Sequence, residues 1–437
     1  MTERATPRAG EYFDALETRD PALREAAQCA ALPAIVAAAQ ATTAGAALLA
    51  GVDARTINSR AALARLPVTR KTALLERQQA TRMADGATWD PFGGFSAIGW
   101  RALGSGGARR VYQSPGPIYE PEGHAADYWR TARALHAAGF RAGDLVHNSF
   151  SYHLTPGAWM MDAGAQALGC SVFPGGVGNT ELQLQALREL RADAYAGTPS
   201  FLRILLEKAA ETGIALPALK KALVSGEAFP PSLRSWLQAR GIEAYQCYAT
   251  ADVGTIAYET RAREGLVLDE GVIVEIVRPG TDDPVPEPMA GAAPEVGEVV
   301  VTVLNADYPL LRFGTGDLSA ILPGPCPTGR SPTRIRGWLG RADQTAKVRG
   351  MFVHPSQVAE VLRRHPELLK ARLVVAGEMA QDLMTLRVEC SAAAPGLDQR
   401  VAASVRDVTK LRADVELLPP GSLPNDGKVI EDARSLG

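Results

Sequence analysis

Two hydrophobic periods alternate along the middle of the chain. Between residues 130 and 250, segments with apolar residues every three or four positions predict helices, and short apolar runs bounded by Gly, Pro or Asp predict strands. A helix-length segment, such as WRTARALHAAGF or SFLRILLEKAAETG, separates each predicted strand from the next. Strands joined in this way form crossover units, which build a mostly parallel sheet. The pattern therefore predicts an α/β fold.

Three of the predicted strands end in short polar segments. These are GTPS at 197–200, SGEAF at 225–229 and YATAD at 248–252. Ligands of open α/β sheets bind at the carboxyl ends of the strands. The sequence therefore predicts that these three segments line a ligand site.

The hydrophobic pattern changes after residue 265. GLVLDEGVIVEIVRP and GEVVVTVLN predict a β subdomain, and the residues that follow GWLGRADQTAKVRG read as helix, strand, strand, helix, strand. About ninety residues of α+β pattern can fold as a separate small domain. We place the boundary at Arg341, which predicts a large N-terminal domain over 1–341 and a small C-terminal domain over 342–437.

Composition narrows the function classes. The 437 residues are 46% hydrophobic and 22% charged with a formal net charge of -2, so the chain has no basic footprint for nucleic acid or anionic lipid. The five cysteines are scattered without a C-x-x-C pair, which argues against disulfides and structural zinc. The charged N-terminus lacks a signal-peptide core, and the alanine-rich residues 29–52 read as helices. We expect a cytoplasmic protein with small-molecule partners.

Three later segments carry candidate chemistry, each with an ordinary alternative. In YPLLRFGTGDLSA, Asp317 could accept hydrogen bonds from two sugar hydroxyls, although Gly-x-Gly-Asp is also common turn chemistry. GRADQTAKVRG could equally be a solvated linker. In LPNDGK, Lys428 could be a surface charge, yet most of the 46 basic residues are arginine, which makes a late lysine behind a turn notable.

In this order and spacing, the three segments resemble the acyl-adenylate-forming superfamily, and its phenylacetate–CoA ligase-like branch in particular. The resemblance extends over nearly the whole chain, through INSRAALARLPVTRKTALLERQ, AQALGCSVFPGGVGNTELQLQALRELRADAYAGTPSFL, VSGEAFP and YATADVGTIAYE. It implies a large adenylate-forming domain and a small mobile C-terminal domain that carries the catalytic lysine.

The resemblance also implies roles for individual residues. Asp317 would bind the ribose hydroxyls with Arg341 nearby, and Tyr248 would stack on the adenine. Asp343 would be the hinge of the small domain, and Lys428 would contact the α-phosphate and the substrate carboxylate. The adenine would be lined by Ser225, Gly226 and Glu227, and the rotated face that meets coenzyme A by Lys347, Arg349 and Gly350.

The chemistry implied by the resemblance has two steps. ATP and Mg²⁺ convert a carboxylic acid into an acyl-adenylate, and the thiol of coenzyme A then displaces AMP. Lys428 would stabilise the pentavalent phosphorus in the first step and leave before the second, which is why the small domain would rotate. The acceptor could instead be the phosphopantetheine thiol of a carrier protein.

Two departures from the family weaken the expectation of full activity. The place of the phosphate loop reads RALGSGGARRVYQSPGPIYEP, where Gly104, Ser105 and Gly106 could form an anion-binding nest and Arg109 or Arg110 could supply the cation. An ordinary glycine turn is the alternative. Asp252 replaces the usual Glu that helps to hold Mg²⁺, so a metal contact could run through water. A weakened homologue that binds nucleotide or acyl group without turnover is therefore a second hypothesis.

The acid itself is predicted only by class. Aromatic residues near the strand ends suit an aryl or other apolar acid, and no basic residue is placed for a second carboxylate. His153 could equally be a core or helix-cap histidine. Cys326 lies alone where some relatives bind zinc, so no structural zinc is expected. The predicted acid pocket comprises Phe150, Tyr152, His153, Gly176 and Thr198, with Trp159 and Gly175 as further candidates.

Overall fold

A computed structural model of the chain describes residues 10–83, 89–115, 117–227, 229–286, 293–344, 346–348, 351–376, 383–425 and 428–433. The chain divides into two compact units. The first comprises Met1–Thr315 and Ala320–Gly337, and the second comprises Gly316–Ser319 and Trp338–Gly437. The predicted boundary at Arg341 lies four residues beyond the end of the first unit, and the extent of the two domains stays a prediction.

Helices in the described residues follow the predicted amphipathic segments closely. Their bounds are α1 Pro21–Gln40, α2 Thr43–Leu48, α3 Arg60–Leu63, α4 Lys71–Arg82, α5 Ala132–Ala137, α6 Gly157–Ala167, α7 Thr180–Leu190, α8 Pro199–Glu211, α9 Pro231–Gln238, α10 Pro355–Arg364 and α11 Leu397–Thr409. Short 3-10 helices span Ala15–Thr18, Ala54–Thr56, Leu103–Ser105 and Ala342–Gln344.

Strands account for most of the remaining regular structure. Their bounds are β1 Thr69–Arg70, β2 Arg110–Ser114, β3 Ile118–Glu122, β4 Leu145–Asn148, β5 Ser171–Pro174, β6 Ala194–Gly197, β7 Lys221–Val224, β8 Glu243–Thr250, β9 Gly254–Glu259, β10 Leu266–Leu268, β11 Val272–Val277, β12 Gly297–Val303, β13 Phe313–Ser319, β14 Ile321–Leu322, β15 Arg334–Ile335, β16 Ala346–Val348, β17 Met351–Val353, β18 Leu368–Ala376, β19 Leu383–Cys390, β20 Asp414–Leu418 and β21 Ile430–Asp432.

A nine-stranded sheet in the order β14-β15-β10-β9-β8-β7-β6-β4-β5 dominates the first unit. Strands β5, β4, β6, β7 and β8 are mutually parallel, as the alternating helix and strand pattern predicts. Helices between them pack on both faces of β6 and β7, whose side chains are almost all buried, whereas β5 at the edge of the sheet is only partly covered. From β8 onwards the pairing is antiparallel. The carboxyl ends of the five parallel strands consequently lie at one edge.

The β-rich segment after residue 265 divides between two sheets. Strand β10 extends the large sheet, whereas β11 and β12 join β13 and β1 in a four-stranded sheet. The hydrophobic pattern predicts one antiparallel subdomain here, whereas the structure divides these strands between two sheets. The pattern cannot distinguish the two sheets, because strands that are buried on both faces have the same continuous apolar sequence in either one. Strands β2 and β3 form a separate antiparallel hairpin.

The second unit has the predicted α+β pattern. Its four-stranded sheet has the order β20-β19-β18-β21, and α10 and α11 share one hydrophobic core with it. The short strand β21 begins two residues after Lys428 and pairs in parallel with β18. A two-stranded ladder begins with β16 inside GRADQTAKVRG, the run for which a solvated linker is one alternative, and is completed by β17 just after it.

Helix α1 is long and apolar enough, by length and composition, to cross a membrane. It packs within the fold, where Leu32 and Val36 are fully buried in a hydrophobic cluster. Arg24 of the same helix forms a buried ion pair with Glu270, at 2.8 Å between Nε and Oε1. A core helix of a folded domain can have the same length and composition as a membrane span. The buried contacts of α1 favour a core helix.

Candidate active site

The turn after β7 carries the three residues predicted to line the adenine. Gly226 has a φ of +84°, which a residue with a side chain adopts only under strain. Ser225 is fixed by two bonds, since its N–H donates to Gly197 O at 3.2 Å and its Oγ donates to Cys247 O at 2.8 Å. The turn is therefore anchored to the strands on either side of β7.

Glu227 is bound to the helix that follows the neighbouring strand. Its Oε1 accepts the N–H of Ser200 at 2.6 Å, in the first turn of α8. Thr198, the N-cap of α8, accepts the N–H of Phe201 at 3.3 Å. Carboxylates at a helix N-terminus satisfy N–H groups that lack a partner in the helix. The Glu227 carboxylate therefore stabilises α8.

Two residues of the predicted acid pocket lie beside the same turn. A Cβ placed on Gly226 would be 3.6 Å from Phe150 Cε1 and 3.8 Å from Thr198 Cγ2. The segment predicted to bind the nucleotide and the residues predicted to bind the acid thus meet at Gly226. A reaction between the two substrates requires this proximity.

The rest of the predicted acid pocket is mixed in character. Tyr152 is half-buried, accepts a hydrogen bond from Asn148 Nδ2 at 2.9 Å and packs edge-on against Trp159 at a ring distance of 5.1 Å. Burial raises the pKa of Tyr152, so its hydroxyl stays protonated. Gly176 has a φ of +68° and open space where a Cβ would lie, whereas His153 is exposed to solvent.

Tyr248 lies on β8, next to a register irregularity in the ladder with β9. Its hydroxyl donates to Thr315 Oγ1 at 3.1 Å, and Thr315 Oγ1 donates in turn to Val299 O at 2.9 Å. The half-buried ring packs against the hydrophobic core. These contacts hold in place the tyrosine that the resemblance assigns to adenine stacking.

Asp252, just past the end of β8, is paired with a lysine. Its Oδ2 is 2.8 Å from Lys71 Nζ, and its side chain is 1% exposed. The nearby Glu120 on β3 is fully buried and accepts a hydrogen bond from Ser114 Oγ. Burial, followed by the Asp252 carboxylate, raises the pKa of Glu120 well above its ordinary value. Lys71 therefore neutralises Asp252, and Glu120 favours its neutral form.

The carboxylate of Asp252 fits the Mg²⁺ that accompanies ATP. Within the described residues its buried Oδ1 has no hydrogen-bond partner, nor has Oε2 of Glu120. No group of three or more His, Cys, Asp or Glu side chains placed to hold a metal occurs in the described part of the chain. Magnesium commonly reaches a protein through one or two carboxylates together with substrate phosphates and water. The residues suit a metal carried by the nucleotide.

Asp317 lies on β13 in the second unit. Its Oδ1 accepts from Arg341 Nη1 at 3.2 Å and from Trp338 Nε1 at 3.1 Å, so the predicted proximity of Arg341 is present. A Cβ on the preceding Gly316, where φ is +74°, would lie 2.5 Å from Arg341 Nη2. This glycine is therefore needed for the close approach of the arginine.

The predicted phosphate loop is a local turn. Gly104 and Gly106 are exposed, and Gly106 N bonds Leu103 O at 3.3 Å within the 3-10 helix that also contains Ser105. Of the two candidate cations, Arg109 is exposed, whereas Arg110 pairs with Glu122 and stacks on Trp159 at 4.1 Å. Arg110 thereby lies beside the predicted acid pocket, and the role of the turn stays a prediction.

Lys428 is exposed in the second unit, and its neighbour Val429 is held on both sides. Val429 N donates to Gln344 Oε1 at 2.8 Å, and Val429 O accepts from Leu373 N at 2.9 Å. The predicted hinge residue Asp343 directly precedes Gln344. Lys347 lies on β16, and Arg349 and Gly350 fall outside the described residues.

Sequence reasoning missed three polar residues, of which Glu120 and His147 are buried and Lys71 is half-buried. Lys71 begins α4, where the helix dipole disfavours a cation, and this placement signals an anionic partner. Glu120 belongs to IYEPE, in which two acids share one face of a strand with apolar neighbours. His147 is fully buried and bonds Gln183 Oε1 at 2.8 Å, and burial lowers its pKa. No pattern in LVHNS distinguishes that histidine.

Comparison with known proteins defines the class. The sequence pattern of the AMP-binding enzyme family matches residues 130–303, which contain all five parallel strands. The pattern of the AMP-binding enzyme C-terminal domain matches residues 350–432. Among solved structures, an open conformation of 2-hydroxyisobutyryl-CoA ligase in complex with 2-HIB-AMP and CoA aligns with a TM-score of 0.82 and 26% identity, over 98% of this chain and 96% of that chain.

Two relatives narrow the class further. The phenylacetate–coenzyme A ligase of Aromatoleum evansii is 31% identical over 355 residues, which are 78% of this chain and 74% of that protein. The phenylacetate–coenzyme A ligase of Thermus thermophilus is 29% identical over 411 residues, 86% of this chain and 87% of that protein. The chain belongs to the phenylacetate–CoA ligase-like branch of the AMP-binding enzymes, as the sequence resemblance predicts.

Proposed function

We propose that this protein is an AMP-forming acid–CoA ligase. It activates a carboxylic acid with ATP to an acyl-adenylate and transfers the acyl group to the thiol of coenzyme A. The observation that carries the proposal is the meeting at Gly226 of the turn predicted to bind nucleotide with Phe150 and Thr198 of the predicted acid pocket. Solved relatives that contain an acyl-adenylate and CoA support the same reaction.

In the first step, a carboxylate oxygen of the acid attacks the α-phosphorus of ATP and pyrophosphate leaves. Tyr248 stacks on the adenine beside the Ser225–Gly226–Glu227 turn, and Asp317 with Arg341 binds the ribose. Lys428 stabilises the negative charge that develops on the α-phosphate oxygens, as a flexible ammonium can. The glycines at 104 and 106, with Ser105, contact the outer phosphates.

Mg²⁺, when bound with ATP, neutralises phosphate charge. Asp252 would hold it through a carboxylate oxygen or an intervening water, and Lys71 pairs with the same carboxylate. In the second step, the thiol of CoA loses its proton to solvent, and the resulting thiolate sulfur attacks the acyl carbonyl carbon and displaces AMP. Asp343 is the hinge, and Lys347, Arg349 and Gly350 serve the CoA side.

The substrate acid belongs to the aryl or apolar class. The half-buried Phe150 offers aromatic surface beside the Gly226 turn, and the Tyr152–Trp159 pair follows it closely in sequence. Two relatives are phenylacetate–coenzyme A ligases. The Arg110 guanidinium over Trp159 is committed to Glu122, so it does not supply a free cation for a second carboxylate. The reaction is cytoplasmic, where ATP and CoA are available.

A weakened homologue is the second candidate. The predicted phosphate loop is short and lacks the lysine and threonines of the family, and this observation favours binding without turnover.

Acid-dependent release of pyrophosphate separates the two. The purified protein is incubated with ATP, Mg²⁺ and a panel of aryl, short aliphatic and hydroxy acids. A ligase releases pyrophosphate with at least one aryl or apolar acid, and coenzyme A then accelerates AMP release. If no acid causes release of pyrophosphate, the binding homologue is supported. If a holo-carrier protein accelerates AMP release and coenzyme A does not, the acceptor is the carrier thiol.

A further inference from the structure

Two charged residues on neighbouring strands of the second unit bind the segment that precedes Lys428. Lys370 on β18 and Glu389 on β19 are direct partners across the antiparallel ladder. Lys370 Nζ donates to Leu423 O at 3.3 Å, Pro424 O at 2.7 Å and Asn425 Oδ1 at 2.9 Å. An ammonium has three donors, so one side chain uses its whole capacity on this segment.

Glu389 binds the same segment as a hydrogen-bond acceptor, whereas Lys370 binds it as a donor. Its Oε1 accepts the N–H of Leu423 at 2.6 Å. The backbone N–H groups of Gly421 and then Leu423 lower the pKa of this carboxyl, so it stays ionised. Leu423 thus has its N–H and its carbonyl bound by two side chains of opposite charge. Charge-assisted bonds of this kind are shorter and stronger than neutral ones.

The segment is buried at one residue and exposed at the next two. Leu423 is buried, whereas Pro424 and Asn425 are exposed to solvent, so the bonds from Lys370 hold the part of the segment that apolar burial does not. On the far side of Lys428, the backbone of Val429 is bonded to Gln344 and to Leu373. Lys428 therefore lies between two anchored points of the chain.

We propose that Lys370 and Glu389 are positioning residues for Lys428. They fix residues 421–425 so that the catalytic ammonium is presented in one place during adenylation. This inference rests on the proposed function, and it extends that function to a pair of residues that contacts neither substrate. Because Lys428 is needed only in the first step, loss of the pair is expected to slow adenylation and to spare thioester formation.

The test measures the two half-reactions separately in Lys370→Met, Lys370→Arg and Glu389→Gln. Lys370→Met removes three donors while keeping the chain length, and we expect the kcat of acid-dependent pyrophosphate release to fall by about 10- to 100-fold, because displacement of a catalytic group by about 1 Å costs on this order. KM for ATP and for the acid should not change. Thioester formation from a supplied acyl-adenylate should also keep its rate.

Two conservative variants keep the test decisive if Lys370→Met does not fold. Lys370→Arg keeps the charge in a planar fork that does not match three converging acceptors, so a smaller loss in adenylation alone is expected. Glu389→Gln keeps one acceptor oxygen and loses the charge, so its loss should be the smallest. Lys410→Met, an exposed lysine of the same unit, is the matched control and should retain wild-type rates in both half-reactions.

Equal losses in both half-reactions, or unchanged adenylation in Lys370→Met and Lys370→Arg, would overturn the positioning role. Failure of the proposed function has a different signature, because the wild-type protein itself would then release no pyrophosphate with any acid. Thermal unfolding of each variant identifies losses that arise from misfolding.

Discussion

The two units hold their candidate functional groups by different means. In the first unit, Asp252 is buried and paired with Lys71, and Ser225 is bonded to strands on both sides of its own. In the second unit, Lys428 is exposed, and the chain before it is held by side chains that reach its backbone. Groups that stay in place during a reaction can be built into a core, whereas a group that acts in one step only, as we propose for Lys428, can be carried on an exposed segment. We therefore expect a substitution of exposed Lys428 to lower activity without changing stability, and a substitution of a buried residue in the first unit to change stability.

The largest effect is expected for Lys428→Ala. Adenylation should fall by about 1,000-fold, because a cation that stabilises transition-state charge is worth this much in comparable sites. Thioester formation from a supplied acyl-adenylate should survive, and the unfolding temperature should not change because the side chain is exposed. Pyrophosphate release, thioester formation and thermal unfolding are measured beside Lys410→Ala. Equal loss of both half-reactions would contradict a lysine that acts in one step only.

Asp317→Ala should give the next largest effect. Loss of the carboxylate that we propose to bind the ribose should raise KM for ATP by about 10- to 100-fold, the value of hydrogen bonds to a charged group. Steady-state kinetics with varied ATP test this, and Asp414→Ala, an exposed aspartate in the same unit, is the control. A change in kcat with no change in KM would instead indicate that Asp317 acts through Arg341.

Glu120→Gln tests the buried side of the comparison through pH. The folded state holds the Glu120 proton above the ordinary pKa of 4.5, whereas the unfolded chain releases it near that value. Between these two pKa values the folded state binds more protons, so this residue makes stability fall as pH rises. The amide cannot titrate, so the variant should gain stability relative to wild type between pH 5 and pH 8.

Urea unfolding at the two pH values measures this difference. The exposed Glu76→Gln, on the helix that begins with Lys71, should change stability equally at both. A constant offset between wild type and Glu120→Gln would mean that the glutamate is ionised throughout.

Tyr248→Phe should give the smallest effect. The variant loses the hydrogen bond to Thr315 but keeps the ring, so the free energy of unfolding should fall by about 1 kcal/mol. KM for ATP should be unchanged if stacking alone binds the adenine. Urea unfolding and ATP kinetics measure the two quantities. A large rise in KM would show that the hydroxyl itself contacts the nucleotide.

Most of the fold could be predicted from the hydrophobic pattern. Each helix and strand predicted between residues 130 and 250 is present, because crossover units leave regular apolar periods. The division of the later strands between two sheets could not be predicted, since strands buried on both faces look alike whichever sheet they join. The ladder that contains Lys347 could not be predicted either, because its first strand is part of a polar run without the apolar pattern of a strand.

The candidate site could be predicted only in part. Ser225, Gly226, Tyr248 and Asp317 follow from strand ends and resemblance, which are properties of local sequence. Lys71, Glu120 and Lys370 could not be found in this way, because each acts through a partner distant in sequence. Their pairing depends on which strands and helices become neighbours, and spacing along the chain does not contain that information.

The bond between Glu227 and the first turn of α8 has a consequence for the choice of nucleotide. The Ser200 N–H occupies one oxygen of the carboxylate, and the second oxygen keeps lone pairs that can accept the exocyclic amino group of adenine. The start of α8 would then set the direction in which that oxygen faces the base.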